Sequence, residues 1–206
     1  KIFKQNPGVK FLEYWTRRSA STDFQRKIYE ILRNEIPEQC IWTSNVEFSK
    51  EFWTIPKWTN AHELRMIPTA LYDKPQEIIE TMYRVDRQWA THYPHAAILL
   101  PDTYGSSFYF KNCPKDIFET HIWCRFDSKD PNIAIPEYVD FILKNDWDPS
   151  KKVWMPSDWL DAITASQIYA KNSAKLWSLP FGIWTNLSNN TKWTFPKEKE
   201  NFWPFG

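Results

Sequence analysis

Four histidines and three cysteines hold most of the ligand and nucleophile chemistry open to this chain. His92-x-x-His95 and His121-x-x-Cys124 have the spacing of paired metal ligands, and Cys113 stands between the pairs. Imidazole and thiolate are the donors zinc takes in a tetrahedral site. A zinc-binding or hydrolytic enzyme using His92, His95, Cys113, His121 and Cys124 is one reading. Two local features oppose it. On a regular strand His121 and Cys124 point to opposite faces, and Tyr93-Pro94 sets a turn between the first two histidines. Surface or hydrogen-bonded histidines and buried thiols describe the same residues, so the expectation is no metal and no cofactor.

Asp146/Asp148 and Asp158/Asp161 are paired carboxylates of the kind that flank a glycosidic bond. With 13 tryptophans to stack on sugar rings, they make a Trp-mediated carbohydrate-binding module a second alternative. Turn and capping chemistry explains the same acids more simply. Asp146-Trp147-Asp148-Pro149 is turn-forming, and Asp158 and Asp161 suit the first turns of a helix. Cys40, Cys113, Cys124, Ser106 or Ser107 paired with a histidine would make a nucleophile, but none sits in a recognisable elbow. The expectation is that the chain is not an enzyme.

Composition narrows the field. The 206 residues fit one domain. A formal net charge of +1 argues against a dedicated nucleic-acid partner, although aromatics and basic residues alternate over Lys10–Arg18. Gly8, Gly105, Gly182 and Gly206 stand alone among 206 residues, which excludes Gly-rich phosphate loops. An odd, sparse set of cysteines argues for reduced thiols rather than a disulfide framework. Ala96–Leu100 is the longest apolar run, far short of the ~20 residues of a membrane span. The start at Lys1 reads as a processed or trimmed end.

The elements expected to position these residues are mostly helical. Thr22 and Gln25 form a capping box for a helix that Pro37 stops, with Phe24, Ile28, Ile31 and Leu32 on its apolar face. A short helix is expected near Asn60–Arg65. A longer one runs from about Pro75 to Ala90 with Ile78, Met82, Val85 and Trp89 as its seam. Ala96–Leu100, Ser107–Lys111 and Ile117–Phe126 read as strands, the last two joined by a Cys-Pro-Lys-Asp turn as an antiparallel hairpin. Helices follow from Pro136 and from a Ser157 cap to about Trp177, the second with small residues at Ala162, Ser166, Ala170 and Ala174.

The aromatics are left over. Thr follows Trp at Trp15, Trp42, Trp53, Trp58, Trp184 and Trp193. Both types favour extended backbone, which suggests extended docking segments. The fold expected is therefore α+β: a small helical body over 21–177 with a short antiparallel hairpin or sheet, an aromatic-rich N-terminal arm over 1–20 and an extended C-terminal docking tail over 178–206. Trp184, Trp193, Phe195, Phe202, Trp203, Phe205, Phe11 and Trp15 are the candidate partner-docking anchors, since aromatics dominate protein interfaces. The functional expectation is a non-catalytic accessory subunit whose partners are other protein subunits of a larger assembly. Reduced thiols and the lack of a span suit a peripheral subunit of a mitochondrial membrane complex (respiratory chain or ATP synthase), in the matrix or at the inner membrane, with the cytoplasm as the alternative.

Overall fold

The computed structural model describes residues 1–16 and 19–184. Two small sheets carry the strands, and both are parallel. One has the order β2 (Cys40–Thr43), β1 (Phe11–Glu13), β6 (Phe181–Ile183). The other has the order β3 (Ile98–Leu99), β4 (Trp123–Phe126), β5 (Val153–Pro156). The two sheets join where Val153 bridges Ser178, just ahead of β6, and Trp154 N donates to Ser178 O at 3.1 Å.

The antiparallel hairpin is therefore corrected. Ser107–Lys111 lies in helix α6 (Ser106–Asn112), and Ile117–Thr120 lies in α7 (Lys115–Thr120). Only Trp123–Phe126 of the expected long strand is extended. The alternation of apolar and polar residues over 117–126 matched a strand, yet Pro114 starts a helical turn first. Parallel neighbours also need long crossovers, and the intervening helices supply them. These include α2 (Thr22–Glu35), α5 (Pro75–His92), α8 (Pro131–Lys144) and α9 (Ala162–Asn172).

Strand alternation divides the side chains into two sets. Leu12, Ile98 and Met155 form one buried cluster with Tyr14, Trp42 and Trp123 packed against it. These residues come from β1 to β5 and the end of β1, so both sheets curve round one interior. The opposite set packs under the helices and includes Phe11, Cys40, Leu99, Cys124, Phe126, Trp154 and Phe181. Phe11 and Trp15 are fully buried within the chain, so neither is available as a surface anchor in this fold. Trp193, Phe195, Phe202, Trp203 and Phe205 lie outside the described residues.

Glu13 explains why α2 is rotated from its expected face. It points outward from β1 into the helix layer, where it is fully buried. Gln25 Nε2 donates to it at 2.9 Å, the Trp15 amide donates at 2.6 Å, and Thr43 Oγ1 also donates. Gln25 and Tyr29 thus face inward, while Phe24 and Ile31 are exposed. The cap is Ser21, one residue before Thr22, and it accepts from the Phe24 amide. Likewise α9 starts from an Asp161–Thr164 capping box rather than from Ser157, and α8 starts at Pro131 under an Asp130 cap.

A second polar knot pins α4 (Glu63–Thr69) to α5 and α6. The Arg65 guanidinium is fully buried, pairs with Asp86, and donates to Asn60 Oδ1 at 3.0 Å. Tyr109 donates to the other Asp86 oxygen at 2.7 Å. No helix among the described residues is long and apolar enough to cross a membrane.

Two predictions follow from these buried groups. Asp86→Ala should cost about 3–5 kcal/mol in denaturant unfolding, because it strands a buried guanidinium. His121 is buried with Nδ1 on the Ile117 carbonyl, and burial holds its pKa below 6.5. Its neutral form is the one that folds. Its contribution is full above pH 6.5 and is lost as pH falls below that value, as the unfolded chain takes up the proton first. Unfolding midpoints measured from pH 7.5 down to pH 5 should fall, and His121→Leu should flatten that slope.

Candidate active site

In parallel sheets all strands end on one side, and open α/β structures bind ligands there. Tyr14, Ser44, Asp127, Ser157 and Trp184 directly follow β1, β2, β4, β5 and β6. Asp102 lies in the turn after β3. With Thr16, Thr59, Asn60, His62, Glu63 and Arg125, several of these line a cavity of ≈ 420 Å³ at the strand ends.

Arg125 is the centre of this rim. It faces the interior because β4 alternates, with Cys124 and Phe126 outward. Its Nε donates to Ser157 Oγ at 2.7 Å and its Nη1 to Thr59 Oγ1 at 2.7 Å. Its Nη2 lies 2.6 Å from Asp127 Oδ2. The guanidinium sits 4.9 Å from the Trp184 ring centre and 5.5 Å from that of Tyr14. Ser157 in turn donates to Asp127 Oδ1 at 2.6 Å. Burial raises the Tyr14 hydroxyl pKa to about 12, against the pull of Arg125, so the phenol stays protonated.

Acids surround this cation. Asp102 Oδ2 accepts from the Asp127 amide at 3.2 Å and from Ser128 Oγ at 2.7 Å. Its Oδ1 lies 3.2 Å from His62 Nε2, so one carboxylate orients the imidazole and the loop after β4. Burial, then the charges of Asp127 and Asp102, push the Asp158 carboxyl upward. The rim thus combines a buried guanidinium, aromatic faces, hydroxyl donors, a tethered imidazole and carboxylates that accept hydrogen bonds.

The residues singled out from sequence fare differently. Trp184 belongs to the rim. The five metal candidates do not converge: among the described residues no group of three or more His, Cys, Asp or Glu can hold a metal ion. His92 Nδ1 lies on the Gln88 carbonyl, and His95 packs edge-on against Trp58. The three cysteines are free, and burial pushes the Cys40 and Cys113 thiols up to about 12 and the Cys124 thiol well above its usual range, so none is a ready thiolate. Sequence reasoning missed Arg125, His62, Asp102 and Asp127. Arg125 falls inside the strand expected over Ile117–Phe126, and Asp127 and Ser128 lie just beyond its end. The available signal was short polar segments closing each apolar run.

Gly182 makes the rim compact. It pairs with Leu12 and faces the interior. A Cβ there would lie 2.6 Å from the Tyr14 ring and 3.0 Å from Ser157 Cβ. Gly182→Ala should therefore displace both partners of Arg125, lowering the melting temperature and any ligand affinity together. Thermal melts and titration of the same samples check this, and Gly8→Ala, crowded instead against Tyr169, should lower stability alone.

Comparison with known proteins gives the chain a family. The model of the nicotinate phosphoribosyltransferase (NAPRTase) family matches residues 9–199. A solved nicotinate phosphoribosyltransferase from Porphyromonas gingivalis is 24% identical with a TM-score of 0.83, over 95% of this chain and 49% of that one. The enzyme from Vibrio cholerae is 26% identical with a TM-score of 0.79, over 91% and 43%. A putative nicotinate phosphoribosyltransferase from Saccharomyces cerevisiae is 23% identical with a TM-score of 0.76, over 91% and 47%. The chain spans about half the length of these solved chains. These matches overturn the expectation of a non-catalytic accessory subunit of a mitochondrial complex, and with it the reading that the chain is no enzyme. Aromatic abundance suggests interface chemistry, whereas the described aromatics largely fill the chain's own two cores. The chain belongs to the nicotinate phosphoribosyltransferase family.

Proposed function

We propose that this chain supplies the strand-end face of an enzyme that transfers a phosphoribosyl group to nicotinate. The observation that carries the reading is Arg125, held by Ser157, Thr59 and Asp127 beside the Tyr14 ring at the C-terminal end of parallel strands. Support comes also from the family match over 9–199 and from the names of the similar solved enzymes. Nicotinate is a flat aromatic ring bearing a carboxylate. A guanidinium beside the Tyr14 ring offers charge to the carboxylate and stacking to the ring.

The other half of the chemistry concerns the ribosyl carbon. Displacement at such a carbon builds positive charge on the sugar, as in glycoside cleavage. Asp127 and Asp158 bring negative charge to the rim, and charge placed in advance stabilises that transition state without reorganisation. His62, tethered by Asp102, is the rim group that can accept or give a proton. Thr59, Ser157 and Thr16 offer hydroxyl donors for phosphate and sugar oxygens.

The test is nicotinate-dependent turnover of a phosphoribosyl donor by the protein. Arg125→Ala should lower kcat/KM for nicotinate by about 10²-fold or more, the scale of a lost oriented charge in a site of this kind. Nicotinamide, lacking the carboxylate, should be a poor substrate for the parent and should lose little further in the variant. Equal turnover of the two bases by the parent, or an unchanged rate in Arg125→Ala, would overturn the assignment.

A further inference from the structure

Thirteen tryptophans and four glycines invert ordinary usage, under which 206 residues carry about 14 glycines. The structure shows where the excess tryptophans stand. Trp53 has φ +53° and Trp159 has φ +43°. This left-handed region is costly for any bulky side chain and is routinely filled by glycine. Asp146, the other described non-glycine residue there, is of a type that tolerates it.

Trp53 occupies a defined glycine position. It directly follows Phe52, the C-cap of α3 (Val46–Glu51). The next amide, Thr54 N, donates back to Ser49 O at 2.9 Å. This 6→1 closure is the Schellman motif, whose left-handed residue is usually glycine. No burial rewards the strain, because Trp53 is 94% exposed. Trp159, between β5 and α9, is 67% exposed. Buried tryptophans give a second sign. An indole N–H inside a protein normally finds an acceptor, yet Nε1 of Trp15 and of Trp154 are buried with no hydrogen-bond partner. The third sign is the repeated Trp-Thr pair, which places Trp15 and Trp184 just past β1 and β6 and Trp58 on the rim cavity.

We infer that Trp53 and Trp159 occupy glycine positions of this fold, and that the protein made in its source cell carries glycine there and at the Trp-Thr positions of the rim. One codon accounts for so many like exchanges. UGA is read as tryptophan in some genetic codes and as glycine in others, so a single reassignment converts every such site together. The rim has a functional stake that rests on the proposed function. Glycine at Trp58 and Trp184 widens the cavity and bares backbone amides to an anion.

Peptide mass spectrometry of the protein isolated from its source cells reads the claim directly. Glycine at residues 53 and 159 is expected, with UGA at those codons in the gene; tryptophan encoded by UGG overturns it. In recombinant protein, Trp53→Gly and Trp159→Gly should each raise the melting temperature by about 2–4 °C. Trp53→Ala and Trp159→Ala should gain less, since alanine keeps the Cβ that the left-handed backbone rejects. Alanine matching glycine, or glycine variants melting lower than the parent, contradicts the assignment. A separate titration of nicotinate into Trp58→Gly/Trp184→Gly distinguishes the two claims. Tighter binding supports both. Stabilised glycine variants that never bind nicotinate uphold the glycine positions and count against the proposed function.

Discussion

A buried guanidinium must be satisfied on every side, and at Arg125 that requirement organises the end of the molecule where the strands stop. Its partners come from elements far apart in sequence: Thr59 before α4, Ser157 after β5, Asp127 beside it, and two rings from the ends of β1 and β6. Removing such a charge from water is expensive unless hydrogen bonds and an opposite charge replace the solvent. The parallel register is what delivers those replacements to one place. An antiparallel hairpin would have sent alternate strand ends to opposite sides and dispersed them.

Beneath the rim, two further buried ionic groups hold the layers in position. Glu13 ties β1 to β2 and α2 through Thr43 and Gln25. Arg65 ties α4 to α5 through Asp86 and reaches Asn60, which lines the rim cavity. Each is a point where packing and site geometry are the same constraint. Burial raises the Glu13 pKa, so its ionised form is held against desolvation by donors from three elements. Above its ordinary range this carboxylate therefore costs stability that a neutral side chain would not. The fold accepts that cost where it fixes the start of the loop carrying Tyr14 and Thr16.

The sequence was legible where signals were local. The helices over Thr22–Glu35 and Pro75–His92 were visible from caps, proline stops and apolar spacing, and the structure places them within a residue or two. The short strands were not. Phe11–Glu13 and Phe181–Ile183 are three residues each, too short for period-two alternation to register, and their pairing joins the two ends of the described chain. Arg125 and His62 were invisible as site residues for the same reason, since what brings them together is strand order, a long-range property. The shortage of glycine also misdirected the functional reading. It excluded phosphate loops on composition, while the backbone at Trp53 and Trp159 shows that glycine conformations persist under other side chains.

The central claim is that the Arg125 rim is where nicotinate binds. A crystal structure of this chain soaked with nicotinate tests it most directly. The account predicts the pyridine ring against Tyr14 with its carboxylate on Arg125. Nicotinate seated elsewhere with the rim empty would contradict it.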